Sequence, residues 1–252
     1  MTASNLAGRT IGAAALLVIA ATGSAGAKCN EAVRPGVDWS GCPKSQLMLS
    51  NDDLTGVNFT KAQLSANDFT GSNLSGAKLV EAEISRARFD GANLTGADLA
   101  KAVGWRTNFN KANLEKANLT SADMSRSTFV EARLVGANFA KSELNRSDFK
   151  AADLSGADLS RAELARVVFS TARLPGVNLS YSNLSRARLD GQNLEGVNLS
   201  GAYLYLTQLA GADLTRATGL RQEQVALACG DAKTRLPDGL TPPKTWPCAS
   251  DE

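Results

Sequence analysis

Ala92-Asn93-Leu94-Thr95-Gly96 is followed directly by Ala97-Asp98-Leu99-Ala100-Lys101. The second stretch repeats the first at an offset of five. Stepping outward by five from these leucines reaches Leu49 on one side and Leu214 on the other. Of the 34 positions in that series, 33 hold Leu, Phe, Ile or Met, and the exception is Gly104. Two residues before each centre stands a small side chain, usually Ala, and between them Asp, Asn or another polar residue. A period of five belongs neither to an α-helix nor to a flat strand. The chain must therefore turn every five residues, burying the centre and the small residue and leaving the other three positions to solvent. Gly56, Gly76, Gly96, Gly136 and Gly156 stand two places after a centre. That is where a type II turn demands positive φ.

A longer period lies inside the short one. All eight phenylalanines are centres, and Phe69, Phe89, Phe109, Phe129, Phe149 and Phe169 follow one another at intervals of 20. Phe59 and Phe139 differ by 80, and the positions from Leu54 to Leu214 at intervals of 20 are all Leu. Twenty residues thus make one coil of four sides, with like residues stacked over like. Coils pairing as parallel strands about 4.8 Å apart would make roughly eight turns and a rod of about 40 Å between residues 49 and 217.

These units resemble the pentapeptide-repeat family, whose units read A-[DN]-L-x-x. Ala92–Gly96, Ala97–Lys101 and Ala157-Asp158-Leu159-Ser160-Arg161 carry the likeness, which extends over about residues 47–217. The resemblance implies an all-β solenoid, a right-handed quadrilateral β-helix. Ala228-Cys229-Gly230-Asp231, Leu236-Pro237 and Trp246-Pro247 resemble a tail found on some bacterial members.

The termini read differently. Residues 1–27 have the form of a secretory signal: Arg9, the apolar run Ile11 to Ala21, and Ala25-Gly26-Ala27 as the cleavage site. The run is too short to span a bilayer. Cleavage near Ala27 would send the chain to the periplasm or the exterior. The four cysteines fit an oxidising compartment, and the pairs Cys29–Cys42 and Cys229–Cys248 are favoured because each closes a short loop within one terminal segment. Residues 28–48 are expected to cap the first coil. Residues 218–252 are expected to cap the last, with a helix over Leu220 to Cys229, Thr218 as its N-cap, Gly230 as its stop and a proline-rich wrap beyond. Trp39 and Trp246 read as cap anchors.

Gly104 interrupts the centres and is followed by Trp105. Its column neighbours, Ile84 and Met124, are the only Ile and Met among the centres. This reads as a tolerated packing defect, with a ligand pocket as the sharper alternative.

The same arithmetic sorts the surface. Arg86, Arg106, Arg126, Arg146, Arg166 and Arg186 fall in one column. Glu83, Asp123, Glu143, Glu163 and Asn183 stand three residues before most of them. Two ladders of opposite sign that screen each other is one reading. A linear anion-binding stripe, widened by Lys61, Lys101, Lys141 and Arg161, is the other. Tyr203, Tyr205 and Leu206, with Tyr181 nearby, form an apolar spot on the last coil. It is either covered by the C-terminal segment or free for self-association, and the start of that segment one coil later favours cover.

Several functions are excluded or disfavoured. With no histidine in 252 residues, no metal-ligand spacing and no Gly-rich phosphate loop, the chain reads as neither an enzyme nor a cofactor or metal binder. A net charge of +2 gives no field toward nucleic acid or membrane. The expected role is an exported interaction scaffold, its partner a protein or an anionic envelope polymer, and monomer and homodimer both stay open. The alternative is a cytosolic DNA-mimicking gyrase binder of the quinolone-resistance type. It would need an acidic rod, which the arginine column opposes.

Overall fold

The computed structural model describes residues 29–248. The signal segment and its cleavage site near Ala27 lie outside them. From Asp38 to Thr218 the chain bonds to itself at a constant offset of 20, in parallel bridges such as Asp38↔Asn58, Asn93↔Asn113 and Asn198↔Thr218. Each side of the coil contributes a single bridging residue, the polar one before the centre. The sides are therefore shorter than ordinary strands, and the ladder is regular except between Arg173 and Asn193, which form no bridge. Leu94 donates its N–H to the carbonyl of Asn113 at 2.7 Å, and Asn93 donates to Ser72 at 2.9 Å.

Each corner is closed by a bond from the small residue back to the centre, as from Ala97 N–H to the Leu94 carbonyl at 3.0 Å. The residue just before the small one lies in the left-handed region. Glycine holds that place at many corners, including Gly96 at φ 64°. Among the described residues, however, 22 non-glycine residues also carry positive φ, Ala151 at 57° and Arg126 at 60° among them. The corner, and not the residue type, sets φ here. The polar residue before the centre latches the corner from outside: Oδ1 of Asn93 accepts the N–H of Thr95 at 3.2 Å, and Oδ1 of Asp123 that of Ser125 at 2.9 Å. This is why Asn and Asp recur there.

Inside, centres and small residues are buried throughout. The rings of Phe69, Phe89, Phe109, Phe129 and Phe149 stack coil on coil with centroids 4.7 to 5.0 Å apart. That spacing is the coil repeat itself. Where Ser or Thr replaces the small Ala, the buried hydroxyl donates to a carbonyl of the preceding coil, as Ser127 does to Gly104 and Ser147 to Met124, or to the centre of its own corner, as Ser142 does to Phe139 and Ser182 to Leu179. At Gly104 a Cβ would stand 2.4 Å from Sδ of Met124 and 3.2 Å from Cγ1 of Ile84. The two larger neighbours have filled the space that a leucine would take, so the column stays packed.

The ends differ from expectation in three ways. The coil starts before Leu49: Gly36 and Gly41 are left-handed corners, and Val37, Trp39 and Cys42 are buried in repeat register. Trp39 is itself a centre, its ring 5.8 Å from that of Phe59, and its Nε1 donates to the carbonyl of Glu31. At the other end, α1 covers only Gln222–Leu227, with Arg221 at the N-cap. Thr218 and Cys229 belong instead to the ladder, bridging Asn198 and Gln208. Gln224 of α1 donates to the carbonyls of Leu199 and Ala202, satisfying part of the exposed coil edge. Gly230 does not stop the helix. Its place is set by Trp246, whose ring would lie 2.3 Å from a Cβ there and whose Nε1 reaches the Ala228 carbonyl. Disulfides join Cys29 to Cys42 and Cys229 to Cys248.

Two outcomes follow. At corners the usual ranking of Ala over Gly should invert: Gly96→Ala loses about 1 kcal/mol, whereas Ala151→Gly loses nothing, as thermal or denaturant unfolding would read. The corner latch should also be acid-sensitive. The Thr70 hydroxyl and then its N–H hold the Asp68 carboxyl below its ordinary value, as Thr215 does for Asp213 and the N–H of Ser40 for Asp38. A depressed folded-state pKa stabilises above the unfolded value, and that stabilisation is lost as pH falls through the folded one. The melting temperature should hold above about pH 5 and drop below about pH 4. In Asp38→Asn/Asp68→Asn/Asp213→Asn, which keeps the acceptor without the titration, the acid drop should be shallower; an identical drop would refute the latch.

Candidate functional site

The six arginines of the column all sit at left-handed corners, with φ between 57° and 61°, and all are exposed. Consecutive corners are one coil apart. The column is thus a row of guanidinium groups along one edge of the rod, each fixed at its root by the repeat.

The neighbouring acids do not form ion pairs with Arg86, Arg106, Arg126, Arg146 or Arg166. Arg86, Arg106, Arg126, Arg146 and Arg166 form no ion pair with any described residue, nor do Glu83, Asp123, Glu143 and Glu163. Those acids bind elsewhere or stay open. Glu83 accepts from Ser65 and from the N–H of Ser85, Asp123 from the N–H of Ser125, and Glu163 from Nδ2 of Asn183. The arginine stands three residues on, at the corner. Other sides behave differently. Arg88 meets Asp68 and Asp90 at 3.5 Å, Arg133 meets Glu115 at 2.8 Å, and Arg173 meets Asp153 at 3.6 Å. Charge is locally balanced there and left open along the 86–166 edge.

Trp105 occupies the gap in the serine-rich column just before this edge. The guanidinium carbons of Arg86 and Arg106 lie 5.6 and 4.2 Å from its ring centre. Trp105 therefore does not cover Gly104 from inside; it braces two arginines outside. The open depressions beside Tyr181 and beside Ala172 do not reach Gly104. The proposed widening of the stripe is mostly absent. Lys61 and Lys101 both turn to Glu81, at 3.6 and 3.9 Å, and Arg161 lies 5.9 Å from the Tyr181 ring centre.

The C-terminal segment reaches Leu206, whose N–H donates to the Leu227 carbonyl at 2.8 Å. It leaves the tyrosines uncovered: Tyr181, Tyr203 and Tyr205 are 66, 49 and 43% exposed. The rings of Tyr203 and Tyr205 are nearly parallel, 6.2 Å apart. Tyr181 lies against Gly201, where a Cβ would be 2.7 Å from its ring, and forms one wall of a depression of about 650 Å³ with Arg221, Glu223 and Gln224 of the helical segment. Cover by the tail, favoured from sequence, fails because α1 crosses the coil end above these rings and not their faces. Among the described residues no cluster of His, Cys, Asp and Glu is arranged to hold a metal, and no helix is long and apolar enough to cross a membrane.

Comparison with known proteins places this geometry. The family model for a pentapeptide repeat region matches residues 122–199, and that for pentapeptide repeats in eight copies matches residues 49–86, 87–126 and 182–218. No curated protein sequence matches the chain. Among solved structures, HetL, a pentapeptide repeat protein of the cyanobacterium Nostoc involved in heterocyst differentiation regulation, is 28% identical over 73% of this chain and 84% of its own, with a TM-score of 0.39. A pentapeptide repeat protein of the Arabidopsis thaliana thylakoid lumen is 32% identical over 45% of this chain and 74% of its own, with a TM-score of 0.29. Trypsin-treated QnrB1, a plasmid-mediated fluoroquinolone resistance protein, is 18% identical over 80% and 92%, with a TM-score of 0.31. With the five-residue corners, the 20-residue ladder and family models that together span the coiled region, the chain belongs to the pentapeptide repeat family.

Proposed function

We propose that this chain is a non-catalytic, exported scaffold, a capped and right-handed rod whose arginine edge binds an anionic partner. The observation that carries the reading is that Arg86, Arg106, Arg126, Arg146 and Arg166 form no ion pair with any described residue, whereas Arg88, Arg133 and Arg173 on other sides do. A row of unpaired guanidinium groups one coil apart suits a linear array of carboxylates or phosphates. An envelope polymer or an acidic protein surface presents such an array. Export is supported by the signal-like residues 1–27 and by two disulfides, which an oxidising compartment would preserve. The arginine edge is cationic, where a mimic of DNA would display acids.

Fractionation of tagged protein tests the compartment: a cytosolic, uncleaved chain would sink export. Retention on immobilised polyglutamate and capture of envelope material test the edge, wild type against Arg126→Gln/Arg146→Gln/Arg166→Gln. At about 0.5–1 kcal/mol for each exposed pair, the triple variant should bind roughly tenfold or more weakly. Equal retention of the two proteins would leave the column without a binding role.

A further inference from the structure

We propose that an acidic surface recognised by the arginine edge is a second copy of this chain, docked side to side and pointing the same way. The inference rests on reading the arginine column as a binding edge, and it names the partner.

The side of the coil that leads into this edge carries two outward columns. The bridges Glu83↔Val103, Val103↔Asp123, Asp123↔Glu143, Glu143↔Glu163, Glu163↔Asn183 and Asn183↔Tyr203 place the first column in strict succession. It is acidic in its middle and apolar at Val103 and Tyr203. The second column, two residues later, is small and polar except at Trp105 and Tyr205. The arginines follow at the corner. One side thus holds an acid ladder on its left, an arginine ladder on its right, and an apolar pair at each of two levels, exposed at Val103, Tyr203 and Tyr205 and half-buried at Trp105. Those levels, Val103 with Trp105 and Tyr203 with Tyr205, are five coils or about 24 Å apart. Among the described residues, Arg86, Arg106, Arg126, Arg146 and Arg166 form no ion pair, nor do Glu83, Asp123, Glu143 and Glu163.

Symmetry then decides the orientation. If a second rod lies face to face and points the same way, the two-fold axis runs along the rod and exchanges left with right. Glu143 then faces Arg146 of the second copy, Asp123 faces Arg126, and Glu163 faces Arg166, each at its own level. If the second rod points the opposite way, left stays left, and acid meets acid while arginine meets arginine. The charge pattern therefore favours the parallel dimer and opposes the antiparallel one. A strip of seven coils with a width of about 15 Å buries on the order of 500 Å² per copy, the low end for a specific interface. The association should accordingly be reversible and weakened by salt.

Sedimentation of the folded, disulfide-intact protein at low salt, from about 1 to 100 μM, the range expected of a small interface, should show a growing dimer fraction. The acid-depleted variant Asp123→Asn/Glu143→Gln/Glu163→Gln and the arginine-depleted variant Arg126→Gln/Arg146→Gln/Arg166→Gln should each remain monomeric with unchanged melting temperatures. Mixed together, they should form a heterodimer, because one intact ladder from each can still meet. Cross-linking of Asp123→Cys with Ser125→Cys should succeed, and that of Asp123→Cys with Glu163→Cys, which reports the antiparallel register, should not. A monomeric wild type over the whole range, a dimer indifferent to both triple variants, or the antiparallel cross-link would each overturn the proposal. The two readings separate on polyglutamate. A monomer retained there in an arginine-dependent way refutes self-association alone, whereas a monomer that is not retained refutes the binding edge as well.

Discussion

The corner is the constraint on which everything else depends. A chain that bends every five residues has no long strand or helix to share its backbone groups with. Each coil must therefore place its N–H and C=O groups against the coils on either side, at offsets that tolerate no slip. The bend puts one residue in five into the left-handed region, and the turn bond from the small residue to the centre holds it there. Once that geometry is set, the centre has only one direction to point, inward, and the small residue must be small because the neighbouring centre fills the interior.

The same constraint determines the surface. A corner residue cannot be buried and cannot join the ladder through its side chain, so it is free to carry any exposed group that accepts left-handed φ. Repetition then turns one choice into a column. Six arginines at equivalent corners form an edge of the rod, and the acids that sequence spacing suggested as their partners form no ion pair with Arg86, Arg106, Arg126, Arg146 or Arg166. Their carboxylates cap the corner or bind along their own column. Charges that lie only three residues apart in the chain are thus not paired here. In an isolated helix, residues at that spacing would be neighbours on one face.

Much of this was legible before any coordinates. Period five, period 20 and the phenylalanine and leucine columns are properties of residue identity alone, because only side-chain size decides what fits the interior. The first coil was not legible. Val37, Trp39 and Cys42 occupy repeat positions but none belongs to an A-[DN]-L unit, and the terminal coil accepts a larger centre, covered by residues 29–31 and not by another full coil. The bounds of α1 were hidden for a related reason: Leu220 and Cys229 suit a helix locally, but the open edge of the last coil claims them. The role of the Asn or Asp before each centre as a latch was signalled by its two-residue offset from the next backbone N–H, a spacing known from turns. The idle charge of the arginine edge had no sequence signal, since it depends on which way each side chain leaves the bend.

The central claim is that residues 20 apart stand one coil above another along the whole rod. Spin labels at Ser85 and Ala165, 80 residues apart in one outward column, test it directly by pulsed dipolar spectroscopy. The account predicts a single narrow distribution whose backbone separation is four coils, about 19 Å. A distance well above 30 Å at the backbone, or a broad distribution without a preferred value, would contradict the stacked-coil register.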